Sequence, residues 1–154
     1  MPQLLHVDFA LRPEGSTSRD LTARFAGAWQ TAHPAGTVVH RDYGAEPVPH
    51  LTAAGTEVKH VPTTDHNDEQ AAAYAVSAGL AADVAAADTV VLGVPLYNYG
   101  PPSALKAWID NLVLGGLSHD PATQESLLGD TDLYVIAVKG GAYGPGTPRE
   151  GWDH

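Results

Sequence analysis

Apolar and polar positions follow two different periodicities along the chain, and the change from one to the other marks its elements. Short β-branched runs predict strands, whereas longer segments with apolar residues every three or four positions predict helices. The run Val90–Val94 is apolar throughout, which is typical of a strand buried on both faces of a parallel sheet. The predicted strands are 3–9, 37–43, 90–94 and a fourth buried strand at 133–138, and the predicted helices are about 19–33, 68–87 and a third that starts after Pro102 and ends at Gly115.

Each predicted helix has one apolar stripe that should face the core. The stripes are Leu21, Phe25 and Trp29 in the first helix, Val76, Leu80 and Val84 in the second, and Leu105, Trp108, Ile109 and Leu112 in the third. Alternation of strands and helices predicts an α/β fold with a doubly wound parallel sheet. We expect the flavodoxin-like strand order 2-1-3-4 in a single domain spanning residues 1–154.

Two segments do not fit a complete doubly wound domain. Residues 44–67 form a long, Pro-containing connection of weak periodicity, and such loops tend to be functional or mobile. After the fourth strand the sequence continues as a polar, glycine-rich tail, where a further strand and covering helix would be usual. We therefore expect that this sequence lacks its native C-terminal strand and helix.

Composition and charge exclude several classes of function. The chain has 154 residues, no cysteine and a net charge of −10, so a disulfide framework, a thiolate metal site and a nucleic-acid partner are not expected. No signal segment or apolar run of membrane-spanning length is evident, which favours a cytoplasmic protein without a membrane partner. The eight histidines are scattered with no pair at i, i+4 on an evident helix, so no metal site is expected.

Three loops follow the carboxyl ends of strands, where open α/β sheets bind ligands. In the first, Ser16, Thr17 and Ser18 place hydroxyl and N–H groups at a helix N-terminus, which favours a phosphate site. Arg19 could add charge there or point to solvent. Ordinary capping by the hydroxyls is the alternative. The chain has no P-loop lysine and no GxGxxG spacing, so neither a nucleotide triphosphatase nor a Rossmann NAD site is indicated.

The second loop follows the third strand and contains two tyrosines around an asparagine. A planar, partly polar ring would suit these aromatic faces and the exposed N–H groups of a Pro/Gly-shaped loop. The alternative is that the tyrosines only cap the sheet. The third loop carries paired glycines that allow close backbone approach, or that simply make a turn. The candidate residues of these two loops are Pro95, Leu96, Tyr97, Asn98, Tyr99, Gly140, Gly141 and Tyr143.

A phosphate site, a site for an aromatic ring and a glycine pair that lets the backbone come close to a ligand lie at one sheet edge. Together they indicate a flavin mononucleotide (FMN) site. No Ser/His/Asp, Cys/His or paired-carboxylate arrangement is evident. That absence fits an enzyme whose cofactor performs the chemistry.

The stretch from Pro95 to Tyr99, with Pro102, Leu105-Lys106 and Trp108-Ile109-Asp110, resembles the signature of the FMN-dependent NADH-azoreductase and quinone reductase family. Ser16–Arg19, Arg41-Asp42 and Gly140-Gly141 support the resemblance. It implies that Ser16, Ser18 and the backbone of Thr17 hold the FMN phosphate. It also implies that Leu96 to Tyr99 line the isoalloxazine, and that Gly140, Gly141 and Tyr143 close its other edge. The family is homodimeric and passes hydride from NADH or NADPH through the flavin to a quinone or azo compound.

The sequence departs from the family pattern at three places, namely Phe9, Val138 and Leu117-Ser118-His119. These changes suggest weaker FMN binding or a different acceptor. A pathway-specific flavin enzyme, an FMN-binding electron carrier and a flavin-free relative therefore remain alternatives. No side chain is assigned as proton donor, although Tyr97, Tyr143 and His119 are candidates.

Overall fold

Four parallel strands form one sheet in the order β2-β1-β3-β4, as the sequence predicts. The computed structural model describes residues 1–153. The strands are β1 (Gln3–Asp8), β2 (Thr37–Asp42), β3 (Thr89–Pro95) and β4 (Asp132–Val138). The helices are α1 (Thr17–Ala32), α2 (Ala53–Glu57), α3 (Asp68–Ala85) and α4 (Ser103–Leu112).

The core lies on both faces of β1 and β3, because side chains alternate along a strand. All seven residues of β3 are buried, as its continuous apolar run indicates. Leu5, Val7 and Phe9 pack with α3 and α4 on one face. Leu4 and Val91 pack with Trp29 of α1 on the other face. Helices therefore cover both sides of the sheet.

Two predicted helix stripes are rotated from the faces that the structure buries. In α1 the buried residues are Ser18, Thr22, Ala26 and Trp29, whereas Leu21 is 39% exposed. In α4 the predicted core residue Ile109 is also 39% exposed. Small side chains on the buried side let α1 approach the sheet closely, and this packing outweighs the larger apolar area of Leu21. None of the helices in residues 1–153 has the length and apolar character needed to cross a membrane.

The connection 44–67 contains more regular structure than its weak periodicity indicates. It includes α2 and two 3₁₀ turns, at Val58–His60 and Thr63–Asp65. The Thr52 side chain caps α2 by accepting a hydrogen bond from the Gly55 N–H at 3.1 Å. These elements are one turn long, so they leave no helical repeat in the sequence.

The expectation of a fourth buried strand is wrong for the described chain. Leu133, Tyr134 and Val135 of β4 are 61%, 47% and 55% exposed. β4 is an edge strand that pairs only with β3, so within residues 1–153 its outer edge has no neighbouring strand. Tyr134 nevertheless packs against Phe25 of α1, with ring centroids 5.0 Å apart.

Phe9 belongs to the core rather than to the loop that follows β1. Its side chain is 0% exposed and contacts Tyr43 and Trp108, with ring centroids 5.9 and 6.0 Å away. We expect Phe9→Ala to lower the free energy of unfolding by about 3–5 kcal/mol, because it removes transfer energy and leaves a cavity. Urea unfolding measures this change. Leu127→Ala is the control at a 48% exposed apolar position, and an equal loss in both variants would contradict the assignment of Phe9 to the core.

Candidate functional site

The loops after β1 and β3 meet at the carboxyl edge of the sheet around a cavity of about 560 Å³. This volume lies within the range of small-molecule sites. A second cavity, of about 510 Å³, is lined by residues 49–54, α3 and Asn111 of α4, and shares no lining residue with the first. The cavity at the sheet edge is lined by Leu11, Leu96, Tyr97, Asn98, Pro101, Pro102, Ser103 and Ala104.

Two paired hydroxyl groups lie at the start of α1. Ser16 is the N-cap residue, but its side chain makes no capping hydrogen bond. Its Oγ lies 3.1 Å from Ser18 Oγ instead, and the two residues are 8% and 1% exposed. Within residues 1–153, the N–H groups of Thr17, Ser18 and Arg19 have no hydrogen-bond acceptor. The first turn is therefore available to bind an anion.

Arg19 is used structurally, and neither of the two roles expected from the sequence describes it. Its guanidinium donates to both carboxylate oxygens of Asp42, at 2.7 and 2.6 Å, and to the Ala10 carbonyl. The hydrogen bond from Arg19 lowers the pKa of Asp42, although partial burial opposes the shift. Arg19 therefore joins the N-terminus of α1 to the end of β2 and to the loop that follows β1.

The loop after β3 is a tight turn in which two residues have a left-handed backbone. Asn98 and Tyr99 have φ of 48° and 69°. Tyr97 N–H donates to the Gly100 carbonyl at 2.8 Å, and Gly100 N–H donates back at 3.0 Å. Positive φ at both central residues is typical of a type I′ turn, in which glycine is usual at the second position. Tyr99 occupies that position, and strained backbone of this kind is concentrated at functional sites.

This turn leaves two backbone donors unused. Asn98 N–H and Tyr99 N–H donate to no acceptor in the part of the chain that the structure describes. Leu96 N–H, in contrast, donates to the Val138 carbonyl at 2.8 Å and so joins the ends of β3 and β4. The unused donors can therefore meet polar atoms of a ligand.

The Tyr97 hydroxyl joins the first two loops, because it accepts a hydrogen bond from Leu11 N–H at 3.0 Å. Tyr99 is 39% exposed and makes edge-to-face contacts with Tyr143 and Trp152, at centroid distances of 6.2 and 5.5 Å. Trp152 was not singled out from the sequence. Its position as a lone tryptophan in a glycine-rich tail is the signal that could have indicated an aromatic contact.

The third loop contacts the turn after β3 through Tyr143, whose ring packs against Tyr99, although Tyr143 itself does not line the cavity. Neither glycine of the pair lines the cavity at the sheet edge. A Cβ atom at Gly141 would lie 3.3 Å from the Arg149 guanidinium, whereas Gly140 faces open space. His119 lies in the loop after α4, where its Nδ1 is 3.0 Å from Ser118 Oγ, and it does not line the cavity either.

Comparison with known proteins agrees with this architecture. The model of a family with a flavodoxin-like fold matches residues 2–154. The chain belongs to this flavodoxin-like family. A family member from Frankia alni, an FMN-dependent NADH:quinone oxidoreductase, is 46% identical over 154 residues, which are 100% of this chain and 73% of that protein. The protein of the same name from Streptomyces avermitilis is 44% identical, with 100% and 70% covered.

Solved structures of the flavodoxin-like family are also similar. The azoreductase from Bacillus anthracis strain Sterne superposes with a TM-score of 0.82 at 31% identity, over 94% of this chain and 73% of that chain. An FMN-dependent NADH-azoreductase from the Ames Ancestor strain, solved in complex with FMN, gives a TM-score of 0.81 over 99% of this chain and 76% of that chain. At 18% identity, this second similarity concerns the fold alone.

We expect Tyr97→Phe to release the loop after β1, because it removes the hydroxyl to which the Leu11 N–H donates. The amide of Leu11 should then exchange faster with solvent, since an exposed loop amide without its acceptor has little protection. Hydrogen exchange followed by NMR measures this. Tyr134→Phe, on β4, is the matched control and should leave Leu11 unchanged. Equal exchange of Leu11 in the wild type and in Tyr97→Phe would show that the hydroxyl does not hold the loop.

Proposed function

We propose that this protein is an FMN-dependent NAD(P)H oxidoreductase that reduces quinones or azo compounds. One observation carries the proposal: the Tyr97–Leu11 hydrogen bond joins an aromatic turn to the loop that leads to the anion donors at the start of α1. Both segments carry N–H groups that have no acceptor within residues 1–153. The names and the identities of the relatives support the same activity.

The residues of the first turn would hold the FMN phosphate. Ser16 and Ser18 supply hydroxyls 3.1 Å apart, and Thr17 supplies a free backbone N–H. The partial positive charge of the helix N-terminus adds to these donors. Because the net charge is −10 and Arg19 is paired with Asp42, binding of the phosphate would depend on these local donors.

The turn after β3 would hold the isoalloxazine ring. Pro95 ends β3, and Leu96 to Tyr99 would line the ring. When bound, FMN supplies the two-electron chemistry between NADH or NADPH and the acceptor. The N–H groups of Asn98 and Tyr99 are fixed donors, and fixed donors favour negative charge at the atoms they face.

The loop after β4 would close the other side of the ring site. We assign Gly140 and Gly141 to close backbone approach, and Tyr143 to an aromatic wall that continues through Tyr99 to Trp152. These aromatic side chains would orient the ring. We assign no side chain a proton-transfer role. The Tyr97 hydroxyl holds the loop after β1 by accepting from the Leu11 N–H, and neither Tyr143 nor His119 lines the cavity.

We further propose that the protein acts in the cytoplasm as a homodimer. Exposed apolar side chains on and after α4 support an interface there, since Ile109 is 39% and Val113 is 59% exposed. Sedimentation velocity tests the assembly. A single species with the mass of a monomer at micromolar concentration would contradict it.

A visible absorption spectrum tests the cofactor and the activity together. We expect added FMN to bind, and anaerobic NADH to bleach the flavin bands in one two-electron step that a quinone then reverses. A one-electron intermediate that accumulates, with slow reduction by NADH, would favour an electron carrier. Failure of FMN to bind even at high concentration would reject the proposal.

The phosphate assignment has a sharper test in Ser18→Ala. A hydrogen bond to a charged group contributes about 1.5–3 kcal/mol, so FMN affinity should fall by about tenfold or more. Riboflavin lacks the phosphate, so its affinity should not change. Fluorescence titration with both ligands measures the difference, and Thr31→Ala at the other end of α1 is the control. Equal weakening of both ligands by Ser18→Ala would place Ser18 outside the phosphate site.

A further inference from the structure

We propose that His6, Asp8 and His40 form a binding site for a divalent transition-metal ion such as Zn²⁺. His6 and His40 are direct partners across β1 and β2. Asp8 lies two residues beyond His6, and therefore on the same face of the sheet. A ligand atom from each of the three residues lies within 4.8 Å of the other two. These residues lie on the face that packs against α1, and the proposal is independent of the flavin function.

The two separations between the Asp8 carboxylate and the imidazoles are close to those between ligands of a tetrahedral metal ion. Asp8 Oδ2 lies 3.2 Å from His6 Nε2 and 2.9 Å from His40 Nε2. Zinc binds nitrogen and carboxylate oxygen at about 2.0–2.2 Å, so two of its tetrahedral ligands lie roughly 3.3 Å apart. Small side-chain rotations would therefore let the three atoms bind one ion.

His6 carries a buried polar atom that no other group satisfies. The residue is 7% exposed, and its Nε2 is enclosed without a hydrogen-bond partner among residues 1–153. The 3.2 Å contact with Asp8 does not have hydrogen-bond geometry, although it is within ion-pair distance. A buried polar group without a partner is unfavourable. A metal ion would accept the lone pair of this nitrogen and remove the defect.

The Asp8 carboxylate is held in an orientation that suits a metal ligand. Thr22 Oγ1 donates to Asp8 Oδ1 at 2.8 Å, which leaves Oδ2 facing the two imidazoles. Gly93 on β3 makes room for this arrangement, because a Cβ there would lie 2.7 Å from Oδ1. Hydrogen bonds of this kind commonly orient metal-binding carboxylates.

One neighbouring cation must be considered. Arg19 NH1 lies 3.9 Å from Asp8 Oδ2 and would repel a metal ion. The guanidinium is already paired with both oxygens of Asp42, however, so the Asp42 carboxylate compensates its charge. Asp8 Oδ2 is hydrogen-bonded to His40 Nε2 at 2.9 Å. An ion would replace this hydrogen bond and bind the carboxylate and the two imidazoles.

The donor set and the accessibility select the class of ion. Two imidazoles and one carboxylate suit zinc and other divalent transition metals better than Mg²⁺ or Ca²⁺, which prefer oxygen. The His40 side chain is 47% exposed, so an ion could enter from the edge strand β2 and keep water at a fourth position. His40 and His6 lie on different strands, which is why spacing along one element gave no sign of the site.

Equilibrium dialysis of protein without a histidine tag against Zn²⁺ tests the proposal. We expect one zinc ion per chain in the wild type, and at least tenfold weaker binding in His40→Ala. His40 is exposed, so this variant should fold. His60→Ala, at an exposed histidine in the 3₁₀ turn after α2, is the matched control and should bind zinc as the wild type does.

A second measurement separates this site from adventitious binding by surface histidines. Zinc should raise the thermal midpoint of the wild type and of His60→Ala, because an ion that binds the folded state stabilises it. It should raise the midpoint of His40→Ala and Asp8→Asn much less. No stoichiometric zinc in the wild type, or an equal loss in His40→Ala and His60→Ala, would overturn the proposal.

Discussion

The ion pair between Arg19 and Asp42 determines where the first turn of α1 lies. Arg19 is the third residue of α1, and the side chains of Arg19 and Asp42 are 15% and 30% exposed, so the pair is partly shielded from water. It fixes the start of the helix to the end of β2, and its third hydrogen bond fixes the loop through the Ala10 carbonyl. The hydroxyls of Ser16 and Ser18 lie in the same helical turn as this anchored arginine. Its charge thus preorganises the donor site without entering it.

Hydrogen bonds link the loops along the rest of this sheet edge. The Tyr97 hydroxyl ties the loop after β1 to the turn after β3, and Leu96 ties that turn to β4. The left-handed backbone of Asn98 and Tyr99 is unfavourable for residues other than glycine, by about 1–2 kcal/mol each. Contacts of Tyr99 with Tyr143 and Trp152 help to offset this cost. In this turn the N–H groups of Asn98 and Tyr99 have no acceptor among residues 1–153, whereas a regular helix or strand would have paired them.

Most strands and helices could be predicted from the sequence, because the spacing of apolar residues that distinguishes a strand from a helix is a local pattern. The strand order followed from the alternation of strands and helices together with the resemblance. Rotation of a helix about its axis was less predictable, since the buried face of α1 contains the smaller Thr22 and Ala26 rather than Leu21. The partner of Arg19 could not be predicted, because Asp42 is distant in sequence. The approach of His6 to His40 depends on the register between two strands, which no single segment encodes.

The two edges of the sheet differ in a way that affects how the chain behaves in solution. At β2, exposed His40 and the Arg41–Asp83 ion pair place polar and charged groups along the edge, a common protection against unwanted strand pairing. β4 instead presents open backbone donors and acceptors beside exposed Leu133, Tyr134 and Val135. Such an edge is a template on which another extended chain can add. Within residues 1–153, the outer edge of residues 132–138 is therefore the place where a further strand can extend the sheet.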